Sequence, residues 1–143
     1  MSKTYSYRRG DFIITTDRNK VDLEKVTEFL GKSYWANTRK KDVIVKSIDN
    51  SLCFSLYHAA EQIGFARVIT DYATFAYLCD VFIHEAYRGQ ELGKWLVECI
   101  VTNPSLAGLR RWSLATNDAH GLYKKFGFKE LSTPEKFMEV FNP

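Results

Sequence analysis

Six short runs of the chain are rich in apolar, β-branched and aromatic residues, which is the pattern of strands in a sheet. They cover residues 12–16, 52–57, 63–70, 75–83, 111–116 and 136–141. The run 75–83 is apolar on both alternating faces except at Asp80, so we expect a central strand that helices cover on both sides. The runs 52–57 and 63–70 flank a short turn and predict a hairpin.

Four other segments repeat their apolar residues at helical spacing. They lie at residues 23–30, 39–48, 92–102 and 119–126. The third is the most regular, because its apolar side chains follow the i, i+3, i+4, i+7, i+8 stripe from Leu92 to Ile100. Strands and helices in this order predict an α/β or α+β fold around one sheet, without an internal repeat.

Length, composition and charge are those of one folded domain that does not bind nucleic acid. The 143 residues are 45% apolar and 15% aromatic, enough for a hydrophobic core, and we expect residues 1–143 to form a single domain. The net charge is only +3, and the cations occur in scattered pairs without a long basic tract. This distribution argues against nucleic-acid binding.

The cysteines, the histidines and the start of the chain bear on metal binding and compartment. The three cysteines form no Cys-x-x-Cys pair and lie among apolar neighbours, so we expect reduced thiols. The three histidines lack the spacing of metal ligands, and we expect no metal. The start lacks a secretory signal and no apolar run could cross a bilayer, so we expect a cytoplasmic protein without membrane partners.

The turn between the run 75–83 and the third helix is a candidate anion site. It contains Gly89 and Gly93, and the helix that follows presents unpaired backbone N–H groups and the positive end of its dipole. The spacing is not that of a P-loop, which needs four residues between its glycines and a Ser or Thr after the lysine. By itself the segment fits a tight turn equally well.

A second motif follows about thirty residues later. The first motif reads Arg-Gly-x-x-Leu-Gly at residues 88–93, and the second reads Leu-Tyr-x-x-x-Gly-Phe at residues 122–128. In order, spacing and context they resemble the GNAT family of acyl-CoA-dependent N-acetyltransferases, and the resemblance covers essentially the whole chain. It implies a mixed, mostly antiparallel central sheet of six to seven strands with about four helices. The fourth and fifth strands would splay apart, and acetyl-CoA would enter the gap.

The resemblance also implies residues that bind acetyl-CoA. The backbone of Val81, Phe82 and Ile83 would pair with the pantetheine arm as an added strand does. The pyrophosphate would lie in the turn formed by Arg88, Gly89, Gln90, Glu91, Leu92, Gly93 and Lys94. Asn117, one position after the place of a common family asparagine, is a further pantetheine candidate. At Glu91 the chain departs from the family's glycine, which adds a Cβ and a negative charge beside the pyrophosphate.

Two catalytic candidates follow from the same resemblance. Tyr123 would be the general acid for the departing thiolate, because a phenol with a pKa of about 10 is protonated at neutral pH. Its position also fits simple packing on a helix. Asp80, a carboxylate in a buried strand, is the candidate general base, and it also fits a structural role such as an ion pair with Arg67.

The acceptor pocket would include Tyr34, Trp35, Asp71 and Tyr72, because aromatic groups beside a carboxylate suit a cationic amine. Tyr34 and Trp35 fit at least as well as side chains that close the core under the first two helices. The implied reaction is transfer of an acetyl group from acetyl-CoA to a primary amine of a small molecule or peptide by direct attack in a ternary complex. Cys79 has no histidine placed to activate it and is interpreted as a core thiol. A non-catalytic acyl-CoA-binding or regulatory module of the same fold is the alternative. Homodimer formation through the sheet edge is left open.

Overall fold

A mixed sheet is the frame of the computed structural model, which describes residues 3–143. Its six strands in this range are β1 (Ser6–Arg9), β2 (Phe12–Thr15), β3 (Leu52–His58), β4 (Glu61–Thr70), β5 (Phe75–Ile83) and β6 (Arg111–Leu114), and they lie side by side in chain order. All neighbouring pairs are antiparallel except β5 and β6, which are parallel. The same range contains four α-helices: α1 (Leu23–Gly31), α2 (Lys41–Asp49), α3 (Leu92–Val101) and α4 (His120–Lys124). This architecture confirms the predicted fold class.

The helices cover both faces of the sheet. α1 begins after Asp22, whose carboxylate accepts a hydrogen bond from the backbone N–H of Lys25 at 3.1 Å, a common N-cap arrangement. α1 and α2 bury their apolar side chains on one face, against Cys53 and Phe65. α3 and Tyr123 of α4 pack on the other face. None of the helices within residues 3–143 combines the length and the apolar character that crossing a bilayer would require.

The two ends of the sequence show where an apolar pattern is a poor guide to strands. The pattern misses β1, because Ser-Tyr-Arg-Arg has no apolar alternation; its pairing with β2 across a turn at Gly10 makes it a strand. The predicted strand at residues 136–141 is wrong: a short 3₁₀ turn covers Pro134–Lys136 and no strand follows. Met138 and Val140 are 98% and 91% exposed. A strand needs a neighbour that pairs with its N–H and C=O groups, and apolar residues alone do not supply one.

A β-bulge interrupts β5 in its second half. Asp80 and Val81 together oppose the single residue Ala66 of β4, so β5 carries one additional residue. Asp80 has a positive φ of +53°, a left-handed conformation that is unusual outside glycine. The bulge therefore lies at the carboxylate that the sequence marks as an exception in this strand.

The two parallel strands part just before the bulge. Their pairing ends at Leu78 opposite Leu114, whereas β5 continues to Ile83. This geometry is the predicted splayed pair. The two strands are the fifth and sixth of the sheet, because β1 precedes the strands that the sequence predicts.

Candidate active site

The parting of β5 and β6 opens a cleft of about 980 Å³. Its walls come from the second half of β5, the turn before α3, the segment from the end of β6 into α4, and the loop after α1. This volume is in the range of small-molecule and cofactor sites. The two sequence motifs, far apart along the chain, thus meet at one cleft.

The wall formed by β5 offers backbone hydrogen-bonding groups. On its β4 side the strand remains paired, with Gly64 opposite Ile83. On the other side no strand of the described residues pairs with it beyond Leu78. Backbone N–H and C=O groups without a protein partner need water or a ligand, so this edge can pair with an extended, amide-containing molecule. The predicted pantetheine-binding residues Val81, Phe82 and Ile83 line the cleft here.

The turn before α3 has the geometry of an anion site. Gly89 has a φ of +86° and Glu91, directly before the helix, has a φ of +61°; both lie in the left-handed region that favours glycine. The first N–H groups of α3 have no acceptor within the helix, and the helix dipole adds positive potential. Five predicted residues of this turn line the cleft, namely Arg88, Gly89, Glu91, Leu92 and Gly93, whereas Gln90 and Lys94 lie outside its lining.

Two side chains hold this turn against the sheet. Nε of Arg88 donates a hydrogen bond to the backbone carbonyl of Ile83 at 3.1 Å, and its guanidinium lies 5.6 Å from the centre of the Phe82 ring. The hydroxyl of Tyr87 lies 2.9 Å from Nδ1 of His58 on β3. The turn is therefore anchored at the end of β5 and on β3.

Tyr123 is a buried phenol on the α4 wall of the cleft, with 8% of its surface exposed. Its ring packs edge-on against Phe128 with 5.9 Å between ring centres, and Gly127, with a φ of +94°, returns the chain after α4. Burial, with smaller contributions from Tyr34 and Asp118, raises the pKa of Tyr123 to about 12. The phenol is therefore protonated at neutral pH and can donate a hydrogen bond or a proton.

Asp80 is the centre of a buried cluster of charges. Its Oδ2 accepts hydrogen bonds from Nε of Arg67 and Nη1 of Arg39, and its Oδ1 accepts one from Nε1 of Trp35, all at 2.9 Å. Burial by itself raises the pKa of this carboxyl, but the hydrogen bond and charge of Arg67, then the charge of Arg39, outweigh burial and lower the pKa below its ordinary value. Asp80 is thus ionised with both oxygens engaged, in agreement with the ion-pair interpretation that the sequence left open.

The bulge in β5 directs Asp80 toward these partners. Ala76 and Leu78 pack on the α3 face, where Asp80 would also lie if the strand alternated regularly. Beyond the bulge Val81 and Ile83 occupy that face instead. The additional residue turns the Asp80 carboxylate to the face covered by α1 and α2, where its three donors lie.

Tyr34 connects the two sides of the cleft. Its hydroxyl accepts a hydrogen bond from the backbone N–H of Asn117 at 3.1 Å, and its ring packs edge-on against Trp35 with 5.0 Å between ring centres. The loop after α1 is thereby joined to the loop after β6. Tyr34, Trp35 and Asn117, three of the predicted site residues, all line the cleft.

Two predicted acceptor residues lie elsewhere. Asp71 and Tyr72 form the turn between β4 and β5, outside the cleft lining. The Asp71 carboxylate accepts hydrogen bonds from the Thr74 hydroxyl, then from the backbone N–H groups of Thr74 and Ala73, and these hold its pKa well below the usual range. Asp71 therefore stabilises a turn, and its position outside the cleft lining does not support the prediction that it binds the acceptor.

The sequence reasoning missed Arg39 as a cleft residue. It lies in a polar segment beside Lys40 and Lys41, where no signal distinguishes one cation from the next. Arg67 carries a clearer signal, because it is the only charged residue in the run 63–70. Cys79 also borders the cleft, and burial raises the pKa of its thiol to about 11, so it is protonated and a poor nucleophile at neutral pH.

The fold, the parted strands and the two motifs are those of a GNAT domain, and sequence comparison agrees. Residues 49–130, more than half of the chain, match the acetyltransferase (GNAT) domain family. This chain belongs to the GNAT family. A Gibberella zeae protein, whose name assigns it provisionally as an acetyltransferase, is 29% identical over 154 residues, covering 91% of this chain and 86% of its own.

Further relatives agree in sequence or in structure. The uncharacterized N-acetyltransferase ycf52 of Gracilaria tenuistipitata var. liui is 34% identical over 116 residues, which is 77% of this chain and 62% of that protein. A crystal structure of a GNAT-family protein from Xanthomonas campestris pv. campestris matches with a TM-score of 0.88 and 39% identity, covering 100% of this chain and 96% of that one. A Clostridium acetobutylicum protein solved with acetyl-CoA has the same fold, with a TM-score of 0.66 and 10% identity over 91% of this chain and 94% of its own.

Proposed function

We propose that this chain is an N-acetyltransferase that moves the acetyl group of acetyl-CoA to a primary amine by direct attack in a ternary complex, with residues 1–143 acting as one domain. Membership of the GNAT family supports the reaction class. The Clostridium acetobutylicum protein solved with acetyl-CoA supports the donor. The observation that carries the proposal is the unpaired edge of β5, which opens into the same cleft as the Tyr123 phenol.

The residues of the cleft fit acetyl-CoA. The backbone from Val81 to Ile83 offers N–H and C=O groups that an amide-rich pantetheine arm can pair with. The turn at residues 88–93 and the start of α3 suit a pyrophosphate. Bound there, acetyl-CoA supplies the thioester whose C–S bond breaks in the transfer.

The groups of the chain then act on the charges that develop. A backbone N–H of β5 stabilises negative charge on the carbonyl oxygen while the amine nitrogen forms the new C–N bond. Tyr123 donates a proton to the sulfur as the C–S bond breaks, and the proton that the attacking nitrogen loses returns through solvent to the Tyr123 phenolate, which restores the phenol. Because its pKa is raised to about 12, the phenol is in the protonated form that this step needs.

Asp80 serves the site as a positioning residue rather than as the general base. Its carboxylate is held by Arg67 and Arg39, and its lowered pKa makes it a weak acceptor for a further proton. It fixes Trp35 and both guanidinium groups at the wall of the cleft. The amine is then taken up as the free base or releases its proton to solvent.

Calorimetry followed by a turnover assay tests the proposal. Titration with acetyl-CoA should give stoichiometric binding in the micromolar range, and a panel of primary amines should then release free CoA thiol. Absence of binding at millimolar acetyl-CoA would overturn the proposal. Desulfo-CoA, which keeps the pyrophosphate and pantetheine but has no thioester, is the matched control ligand and should bind without turnover.

A non-catalytic acyl-CoA-binding or regulatory module is the second candidate. Glu91 favours it, because a residue with a Cβ adopts the φ of +61° less readily than glycine does, and because its carboxylate repels a pyrophosphate. This candidate predicts acetyl-CoA binding with no thiol release for any amine. It also predicts that Tyr123→Phe leaves every measured property unchanged.

A further inference from the structure

We infer that the acceptor is a small primary amine that also carries a carboxylate, such as an amino acid, and that Arg39 binds this carboxylate beside Arg67. The inference rests on the acetyltransferase function proposed above. It goes further by naming the chemical class of the second substrate from the charges of the cleft wall. The sequence alone favoured the opposite class, a cationic amine attracted to a carboxylate.

The wall of the cleft on the α1 and α2 side is rich in cations. Lys32, Arg39 and Arg67 line it, and Asp80 is the only carboxylate among the described residues that line this wall; outside the lining, Glu28 lies 3.9 Å from Nζ of Lys32. Asp118 lies on the opposite wall, in the loop before α4. An acceptor with only an ammonium group would meet net positive charge on the first wall, which opposes binding.

The carboxylate of Asp80 is closed to an ammonium, because it is buried and three of its roughly four acceptor positions are occupied. Three N–H donors, from Trp35, Arg39 and Arg67, already occupy its two oxygens, and its side chain is only 2% exposed. Two guanidinium charges against one carboxylate leave this cluster with an excess positive charge. The group that complements it is an anion rather than a second cation.

Arg39 is the member of the cluster that can reach a ligand. Arg67 is nearly buried and also donates from Nη1 to the hydroxyl of Ser51 at 3.0 Å. The Arg39 side chain is 23% exposed and, among the described residues, only its Nη1 has a protein partner, the Asp80 carboxylate. A guanidinium has five N–H donors in a planar fork that matches a carboxylate, so Nε and Nη2 can bind one.

The cluster lies on the correct wall for an acceptor. Its members Trp35 and Arg39 come from the segment between α1 and α2, whereas the pyrophosphate turn leads into α3. Between them lies the edge of β5 from Val81 to Ile83, where the pantetheine arm of the donor, which carries the thioester, is proposed to bind. A carboxylate at Arg39 would therefore leave an adjacent amine free to approach the thioester, and Tyr34 and Trp35 supply aromatic surface for a side chain.

Matched acceptor pairs test the inference directly. Thiol release is measured for amino acids and their decarboxylated counterparts, for example phenylalanine against phenethylamine and lysine against cadaverine, at equal pH and salt. The carboxylated member should have a kcat/KM at least about tenfold higher. Equal or faster acetylation of the decarboxylated amines would overturn the inference, and so would a preference for phosphoethanolamine over every amino acid.

Variants at Arg39 test the assigned residue. Arg39→Gln should raise KM for carboxylated amines about tenfold and leave the Kd of acetyl-CoA unchanged, whereas Arg39→Lys should restore part of the affinity. Arg8→Gln, the same change at an exposed arginine of β1 outside the cleft lining, should alter neither constant. Equal losses for amines with and without a carboxylate would indicate a structural role and overturn the assignment.

The outcomes separate this inference from the function on which it rests. Amine acetylation without any preference for a carboxylate overturns the inference and leaves the acetyltransferase function intact. Lack of acetyl-CoA binding, or binding without acetylation of any amine, overturns the proposed function and the inference with it.

Discussion

The two halves of the cleft are built from different chemical groups. The half proposed for the donor consists of backbone groups, namely the free edge of β5 and the N–H groups at the start of α3. The half proposed for the acceptor consists of side chains, centred on Asp80. Trp35 and Asp80 are 45 positions apart in the sequence. A backbone site depends on local conformation and leaves a short contiguous motif, whereas a side-chain site is assembled by the fold and leaves none.

Removing the Tyr123 hydroxyl should have the largest effect. Tyr123→Phe should lower kcat about a thousandfold, because the departing sulfur loses its proton donor, while the Kd of acetyl-CoA stays constant. Thiol release and calorimetry measure the two quantities. Tyr5→Phe, at a tyrosine outside the cleft lining, is the control and should change neither. A Tyr123→Phe enzyme with normal kcat would mean that Tyr123 only packs on α4.

Removing the charge of Asp80 should disrupt the side-chain arrangement of the acceptor half and leave the backbone groups of the donor half in place. Asp80→Asn leaves two guanidinium groups facing each other, one of them nearly buried, and should cost about 3 kcal/mol of unfolding free energy. Urea unfolding measures this change. The matched control is Asp49→Asn, which removes an exposed ion pair with Arg18 and should cost less than about 1 kcal/mol.

Acid should reproduce the effect of that substitution. The pKa of Asp80 is lowered in the folded protein, so its ionised form stabilises the fold above its unfolded pKa of about 3.9. This stabilisation is lost as the pH falls through the lower folded pKa. The difference in unfolding free energy between wild type and Asp80→Asn should therefore shrink from about pH 4 downward. A difference that stays constant in acid would contradict the lowered pKa.

Placing a glycine at position 91 should tighten the binding of acetyl-CoA to the donor half, and this effect should be smaller than those above. Glu91→Gly removes both a left-handed non-glycine residue and a carboxylate, and should tighten acetyl-CoA binding about fivefold. Glu91→Gln removes only the charge and separates the two causes. Calorimetry at low and high salt measures both variants, and the gain due to charge should diminish with salt. Weaker binding by Glu91→Gly would mean that the carboxylate itself helps to bind the ligand.

The donor half could be predicted from sequence in considerable detail. The glycine pattern at residues 88–93 marks a turn with positive φ, and the structure has it at Gly89 and at Glu91, the position where the family carries a glycine. The acceptor half could be predicted only in part. Tyr34 and Trp35 line the cleft, but Asp71, chosen on the same reasoning, forms a turn instead. The position of a loop residue in the fold depends on how the loop packs against the rest of the protein. The local sequence of the loop does not determine this packing.

The sequence by itself determined the features that depend on interactions between residues close together in the chain. Apolar periodicity marks the helices and the central strands, because each segment must bury one face or both, and the two motifs mark the turn before α3 and the position of Tyr123. Only the tertiary structure decided which edges pair: β1 forms beside β2, and residues 136–141 form no strand. It also decided that Leu78 is the residue after which the splayed strands β5 and β6 part. The tertiary structure also decided which partners Asp80 has, because one additional residue in β5 turns its carboxylate to Arg39 and Arg67. This additional residue is a bulge, and a bulge is defined only by the pairing of a strand with its neighbour.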